Sequence, residues 1–361
     1  YWRDWSSDVC SSDLVTFCTN IIMAPRSTLL AFVKLGDFFA EFLDQKNNPQ
    51  TPDFQRFEDI LLRVEAQNSW FTQENLHFVL EQWANLLTEK RLTTWLAHYP
   101  LKESASQKTV AIIMAGNIPL VGFHDFLCVL LSGTTVLGKL SSNDTLLLPF
   151  ISGILTKESP ELRDRIRFTE GKLDFFDAVI ATGSNNTSRY FEHYFGKYPN
   201  IIRKNRNSIA ILSGNERENE LHALGKDIFQ YFGLGCRSVS KLYVPSDYNF
   251  EAFFQAIFPF QKVIHQHKYA NNYDYNKAVY LMSDIPLLDN GFLILKEDQG
   301  LASPISCLFY EFYENGTILK RKLASKQKEI QCVVSNGCFP NEVGFGQTQT
   351  PSLSDYADGL D

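Results

Sequence analysis

The sequence predicts an α/β protein with parallel strands, and three segments predict it. Residues 110–120 begin as an apolar, β-branched run, break at Gly116-Asn117, and pass at Pro119 into an apolar stretch ending near Ser132-Gly133. That is strand, turn and helix, with Pro119 suited to the first helical turn. Residues 134–140 read as the next strand, so the unit is βαβ and its strands run parallel. Residues 176–184 form a third strand that ends in Thr182-Gly183-Ser184, and a helix follows from Asn185 to Phe195. Polar residues at strand ends, here Asn117 and Lys139, stand where parallel sheets bind ligands. Backbone amides at the Asn185 helix start, with the hydroxyls of Thr182 and Ser184, suit a phosphate or a ribose, although many such turns only cap a helix.

Before these strands the pattern is helical. An amphipathic helix is predicted over residues 29–43 and another over 75–87 with Trp83 on its apolar side. Residues 1–22 read as an adaptor-derived extension foreign to the fold; they lack the basic start of a signal peptide, and Met23 is the expected first native residue. After the third strand, a helix over 216–232 leads into a second α/β region. There, 250–258 reads as a helix stopped by Pro259, and 278–282 and 306–310 read as strands. The aromatic cluster of Phe250, Phe253, Phe254, Phe258 and Phe260 reads as core packing, with a lining for an acyl chain as the alternative.

The chemistry concentrates at Gly233-Leu234-Gly235-Cys236-Arg237-Ser238. Glycines ahead of a cysteine let the backbone bend tightly and bring a reactant close to sulfur, so Cys236 reads as a nucleophile; the alternative is a buried small hydrophobe at a strand start. The seven cysteines, at positions 10, 18, 128, 236, 307, 332 and 338, form no C-x-x-C pair and suggest no disulfide framework. Cys128 and Cys307 sit in apolar runs. His265 and His267 are placed on one strand face with no third ligand nearby, so no metal is expected. At 361 residues and 44% hydrophobic content the chain can bury a core large enough for two domains. A net charge of −7 speaks against general nucleic-acid binding, and no apolar run is long enough to span a bilayer. A polyanionic ligand would need a local basic patch, for which Arg203, Lys204 and Arg206, or Lys320-Arg321-Lys322, are candidates.

In order and spacing these segments resemble the aldehyde dehydrogenase superfamily, and specifically its LuxC-type acyl-CoA reductase branch. In that superfamily an Asn-x-Pro segment, a strand carrying a cofactor lysine, a Thr-Gly-Ser turn and a Gly-x-x-Cys nucleophile follow one another. Here they are Asn117-Ile118-Pro119, Lys139, Thr182-Gly183-Ser184 and Gly233-Leu234-Gly235-Cys236. Gly-Leu-Gly-Cys-Arg-Ser and the terminal residues 345–359 look like the LuxC branch in particular. The resemblance runs from about Leu30 to the C-terminus and implies an aldehyde-dehydrogenase-like fold: a Rossmann-type NAD(P)-binding domain at 106–212, with a helical region at 23–105 packed on it. A catalytic α/β domain at 213–325 and a segment at 326–361 returning to the domain interface complete it.

The resemblance also implies roles. Cys236 attacks an acyl thioester, and the side-chain amide of Asn117 with the Cys236 backbone N–H stabilises the oxyanion. Gly116, Lys139, Ser141, Ser142, Thr182, Gly183 and Ser184 bind the cofactor. Hydrolytic relatives carry a Glu-Leu-Gly-Gly segment whose glutamate activates water; near its place here stands Arg203-Lys204-Asn205-Arg206, which leaves thiol exchange or hydride transfer as outlets for an acyl-enzyme. Where NAD-preferring members place a ribose-binding glutamate, this chain reads Lys139-Leu140-Ser141-Ser142-Asn143. A carboxylate repels a 2′-phosphate and a serine does not, so NADPH is expected, with NADH the alternative. The later Glu-x-Phe-Gly-Pro segment is replaced by Gly300-Leu301-Ala302-Ser303-Pro304. The expected function is reduction of a fatty acyl-CoA or acyl-carrier thioester to the aldehyde by a cytoplasmic homo-oligomer that binds no nucleic acid. A hydrolytic NAD(P) aldehyde dehydrogenase and a cofactor-independent acyl-transfer protein using the same cysteine are the alternatives.

Overall fold

A computed structural model of the protein describes residues 22–23, 26–45, 51–99, 102–103, 108–337, 339 and 342–360. The expectations for residues 1–21 and for Cys338 lie outside the described residues. The chain divides into two compact units: one runs to Lys204 and takes in Ser352–Ser354, the other comprises Asn205–Pro351 and the residues from Asp355.

The first unit opens with a two-residue strand β1 (Ile22–Met23), followed by helices α1 (Arg26–Gln45), α2 (Pro52–Gln67), α3 (Gln73–Leu86) and α4 (Glu89–Leu96) and by β2 (Lys102–Glu103), parallel to β1. Threonines start three of these helices: Thr51, Thr72 and Thr88 accept from the backbone N–H of Phe54, Asn75 and Arg91, each satisfying an amide that helix geometry leaves over. Phe32, Leu35, Phe39 and Phe42 form the buried stripe of α1. Phe42 meets Phe57 edge-on at 4.8 Å, and Phe57 stacks on Phe150 at 5.0 Å, tying α1 and α2 to a helix of the α/β layer.

That layer runs β3 (Thr109–Ile113), α5 (Phe123–Leu131), β4 (Thr135–Lys139), α6 (Leu147–Glu158), β5 (Ile166–Thr169), β6 (Ala178–Thr182), α7 (Asn185–Phe195) and β7 (Asn200–Arg203). Its five strands are parallel in the order β5-β4-β3-β6-β7. The helix after β3 starts later than its sequence suggests. Leu120 adopts a left-handed conformation (φ 54°), which no α-helix continues through, so Pro119 belongs to a turn and α5 begins at Phe123.

The second unit contains β8 (Asn207–Ile211), α8 (Glu218–Phe229), β9 (Val239–Pro245), α9 (Phe250–Ile257), α10 (His267–Met282), β10 (Leu287–Asp289), β11 (Ile294–Glu297), β12 (Cys307–Tyr313), α11 (Gly316–Ser325) and β13 (Ile330–Val334). They build a six-stranded sheet ordered β10-β11-β12-β9-β8-β13, parallel except for the β10–β11 edge. Because β8 pairs with β9 and β13, the change of sheet falls between Lys204 and Asn205, ahead of the expected boundary at 212.

Three local expectations are corrected here. Residues 278–282, read as a strand, are the last turn of α10. Its buried residues Tyr269, Tyr273, Asn276 and Tyr280 recur at helical spacing, and Gln266 caps its start by accepting from Tyr269 N–H. His265 and His267 therefore flank a helix start and share no strand face. The helix predicted over 216–232 stops at Phe229, and a tight turn follows in which Tyr231 (φ 53°), Phe232 (φ 58°) and Gly233 (φ 77°) are all left-handed.

Candidate active site

In the first unit, the chain goes from β3 outward through β4 to β5, then crosses back to place β6 on the other side of β3. The loops after β3 and β6 leave the sheet in opposite directions, which is where an open parallel sheet forms a ligand crevice. The expected cofactor residues gather along this edge. A Cβ on Gly116 would lie 2.4 Å from Ser141 Oγ, so only glycine allows the β3 and β4 loops to approach this closely. Asn68 Nδ2 donates to Gly116 O at 3.5 Å, and Gln67 Nε2 donates to Ser142 O at 2.9 Å, so α2 braces both loops. Lys139, last residue of β4, donates to Gly171 O at 2.9 Å. Ser184 caps α7 by accepting from Thr187 N–H at 3.2 Å, and a Cβ on Gly183 would press against Phe191 at 2.9 Å. Asn117 is exposed at the turn after β3.

Asp144, not singled out from sequence, sits behind this edge. It accepts from the backbone N–H of Leu147 and Leu120, and burial pushes its carboxyl up to about 6. An acidic residue in the loop between a strand and an apolar helix is the signal that could have marked it.

The basic run after β7 is spent on ion pairs. In the first unit Arg203 donates to Asp125 at 2.5 Å with both side chains nearly buried, and Lys204 pairs with Glu192 at 2.8 Å. In the second, Arg206 pairs with Asp358 at 3.0 Å. Of the other basic candidate, Lys322 pairs with Glu311, and Lys320 lies over the Phe339 ring.

In the second unit, Cys236 follows the left-handed turn and precedes β9. Among the described cysteines it is the exposed one; Cys307 and Cys332 are buried and Cys128 is half-buried. Ser208 Oγ donates to Cys236 O at 2.9 Å, fixing the loop to β8, and Ser238 N–H donates to Gly235 O at 3.0 Å. Crowding by the surrounding protein raises the Cys236 thiol above its ordinary value, and the positive charge of Arg237 works against that without prevailing. Arg237 Nη1 lies 3.5 Å from Cys332 Sγ, so the guanidinium faces that buried thiol. It also donates to Thr348 O at 3.4 Å and Asp355 O at 3.3 Å, and Gln349 Nε2 donates to Ser238 Oγ at 3.2 Å. Behind the loop, fully buried Asp227 accepts from Gly346 N–H (2.6 Å), Thr348 N–H (3.0 Å) and Thr348 Oγ1 (2.8 Å). Sequence reading missed Asp227; its signal was an acidic residue on the apolar face of α8, beside Leu224 and Ile228.

The phenylalanine cluster divides. Phe250 and Phe253 are buried, and Phe260 stacks on Phe229 at 5.4 Å. Phe250, Phe254 and Phe258 line an open cleft of about 780 Å³ with Tyr248 and Glu251. This cleft stands beyond the C-terminal end of β9, whereas Cys236 precedes its start, a seven-residue strand away. Among the described residues no group of His, Cys, Asp or Glu is placed to hold a metal ion, and no helix is long and apolar enough to cross a membrane.

Solved structures similar to this chain are aldehyde dehydrogenases. Gamma-glutamyl-gamma-aminobutyraldehyde dehydrogenase from Burkholderia cenocepacia superposes with a TM-score of 0.63 at 13% identity, covering 87% of this chain and 72% of that one. The aldehyde dehydrogenase KauB from Pseudomonas aeruginosa gives 0.61 at 14% identity, covering 90% and 79%. An indole-3-acetaldehyde dehydrogenase solved with NAD+ gives 0.62 at 12% identity, covering 90% and 74%. The fold is thus aldehyde-dehydrogenase-like. No curated protein gives a significant match. The family model of the LuxC acyl-CoA reductases matches residues 35–256, more than half of the sequence, so with its paired parallel sheets and its exposed cysteine loop the chain belongs to the LuxC acyl-CoA reductase family.

Proposed function

We propose that this protein reduces a fatty acyl-CoA to the fatty aldehyde with NADPH, through a thioester on Cys236. The observation that carries this reading is the exposure of Cys236 on a loop braced from both sides, with Arg237 beside it. The Cys236 thiolate attacks the thioester carbonyl, the CoA thiolate leaves and takes up a proton, and the acyl group stays on sulfur. The Cys236 backbone N–H donates to the oxyanion; losing such a donor typically costs about a hundredfold to a thousandfold in rate.

The edge of the first sheet fits a nicotinamide nucleotide. The close approach at Gly116, the Lys139 ammonium, Ser141, Ser142 and the Thr182-Gly183-Ser184 turn before a helix start together offer hydroxyls, amides and a cation to a phosphate-bearing ligand. When bound, the nicotinamide would supply the hydride to the acyl carbon; the C–S bond to Cys236 then breaks, which releases the aldehyde and returns the thiolate. Preference for the 2′-phosphate is supported by the loop after β4, whose acidic residue, Asp144, is turned inward onto the Leu120 and Leu147 amides. Arg203, held by Asp125, offers no base to activate water, which favours reduction of the acyl-enzyme over its hydrolysis.

NADPH consumption, followed by absorbance with a panel of acyl-CoAs and a direct assay of aldehyde, tests this. Aldehyde formation that vanishes in Cys236→Ala is the expected result. Acylation of Cys236 with no use of NADPH or NADH would overturn reduction in favour of acyl transfer.

A further inference from the structure

We infer that Asp227 is a positioning residue for Cys236, acting through the C-terminal strap 346–349; this rests on the reading of Cys236 as nucleophile. The turn that delivers Cys236 holds three consecutive left-handed residues, two of them the aromatics Tyr231 and Phe232. Side-chain-bearing residues in that conformation persist only where their surroundings impose it. Nothing in Gly233-Leu234-Gly235 stiffens the loop by itself, because glycine widens the choice of backbone angles.

Besides the Ser208 bond to Cys236 O, a constraint comes from the far end of the sequence. Asp227, in the last turn of α8, gathers the backbone amides of Gly346 and Thr348 and the Thr348 hydroxyl. The strap held in this way presents Thr348 O to Arg237 and Gln349 to Ser238, the two residues directly after Cys236. Asp227 thus stands before the strained turn and the strap's contacts stand after it, so the loop is clamped at both ends by one segment. A carboxylate suits the anchor because all three of its partners are donors; an asparagine would turn an N–H toward one of them.

The test uses the full-length protein and reads the loop without relying on turnover. The rate of Cys236 alkylation by iodoacetamide, located by mass spectrometry, is compared with kcat and with the KM for NADPH in Asp227→Asn, Thr348→Val and Thr348→Ser. The expected result is a tenfold or greater fall in alkylation rate and in kcat for Asp227→Asn and Thr348→Val, an unchanged KM for NADPH, and rescue to within about twofold in Thr348→Ser, which keeps the hydroxyl donor. Should Asp227→Asn fail to fold, Thr348→Val carries the comparison. A lowered melting temperature with alkylation rate and kcat per folded molecule unchanged would overturn the inference, leaving the strap a purely structural brace. Wild-type Cys236 that alkylates but is never acylated by acyl-CoA would instead strike the proposed function and leave the positioning role standing.

Discussion

Arg203 is the residue at which charge chemistry is most exacting. Its guanidinium and the Asp125 carboxylate meet at 2.5 Å with about a tenth or less of either side chain exposed, so the two charges face each other largely out of water. Removing one partner of such a pair typically costs about 3–5 kcal/mol, because the survivor stays buried and uncompensated. Asp125→Ala is therefore expected to lower the urea midpoint markedly, and Asp125→Ala with Arg203→Met to recover much of the loss; a single variant as stable as wild type would show that the pair bears no load. The sequence shows Arg203 within a basic run. It did not disclose the partner, which lies 78 residues earlier on α5 and meets β7 only after the sheet forms.

At the scale of elements, the helices and strands with a clear period were legible, and the turns between them were not. The α7 bounds, Asn185–Phe195, coincide with those read from Ser184 onward, because a serine cap is a local signal. The start of α5 and the strand expected at 278–282 were misplaced, because Leu120 is bent by its neighbours and α10 takes its period from burial of tyrosines against the sheet. Gly116 gives a test of how the β3 and β4 loops share space. A methyl there collides with both Oγ and Cβ of Ser141, at 2.4 and 2.6 Å, so the loop proposed to hold the nucleotide must shift. Gly116→Ala is expected to raise the KM for NADPH about tenfold, equivalent to about 1.4 kcal/mol. An unaltered KM in the single variant would place the cofactor elsewhere.

For the whole molecule, stability should carry the imprint of Asp144. Its carboxyl titrates near 3.8 when free and at about 6 in the fold, where burial outweighs the two amides that favour the anion. The folded state therefore prefers the proton. This contribution to stability is fully present below pH 4 and is lost as pH rises through 6. Asp144→Asn removes that titration, so the difference in unfolding free energy between variant and wild type should shift in the variant's favour from pH 4 to pH 7; a constant difference would show that Asp144 does not titrate in this window. The Cys236 thiol is shifted in the same direction. Because crowding holds its thiol above the usual value, the rate of Cys236 alkylation should keep rising with pH past 9.

The α/β class, the parallel βαβ order of the first sheet, the helical N-terminal region and the family were legible in the chain's residues, because apolar periodicity and a few turn motifs are local and survive without knowledge of contacts. The sequence also singled out Cys236 and the glycines and hydroxyls at the ends of β3, β4 and β6. Only the tertiary structure decided that β8 joins the second sheet, that the basic residues 203, 204 and 206 are each paired with a carboxylate, and that the aromatic cleft lies at the opposite end of β9 from Cys236. It alone brought Asp227 to Thr348 across 121 positions. Such pairings depend on which side chains folding brings within hydrogen-bond reach, and residues far apart in the chain acquire that proximity only when the sheets and their helices pack.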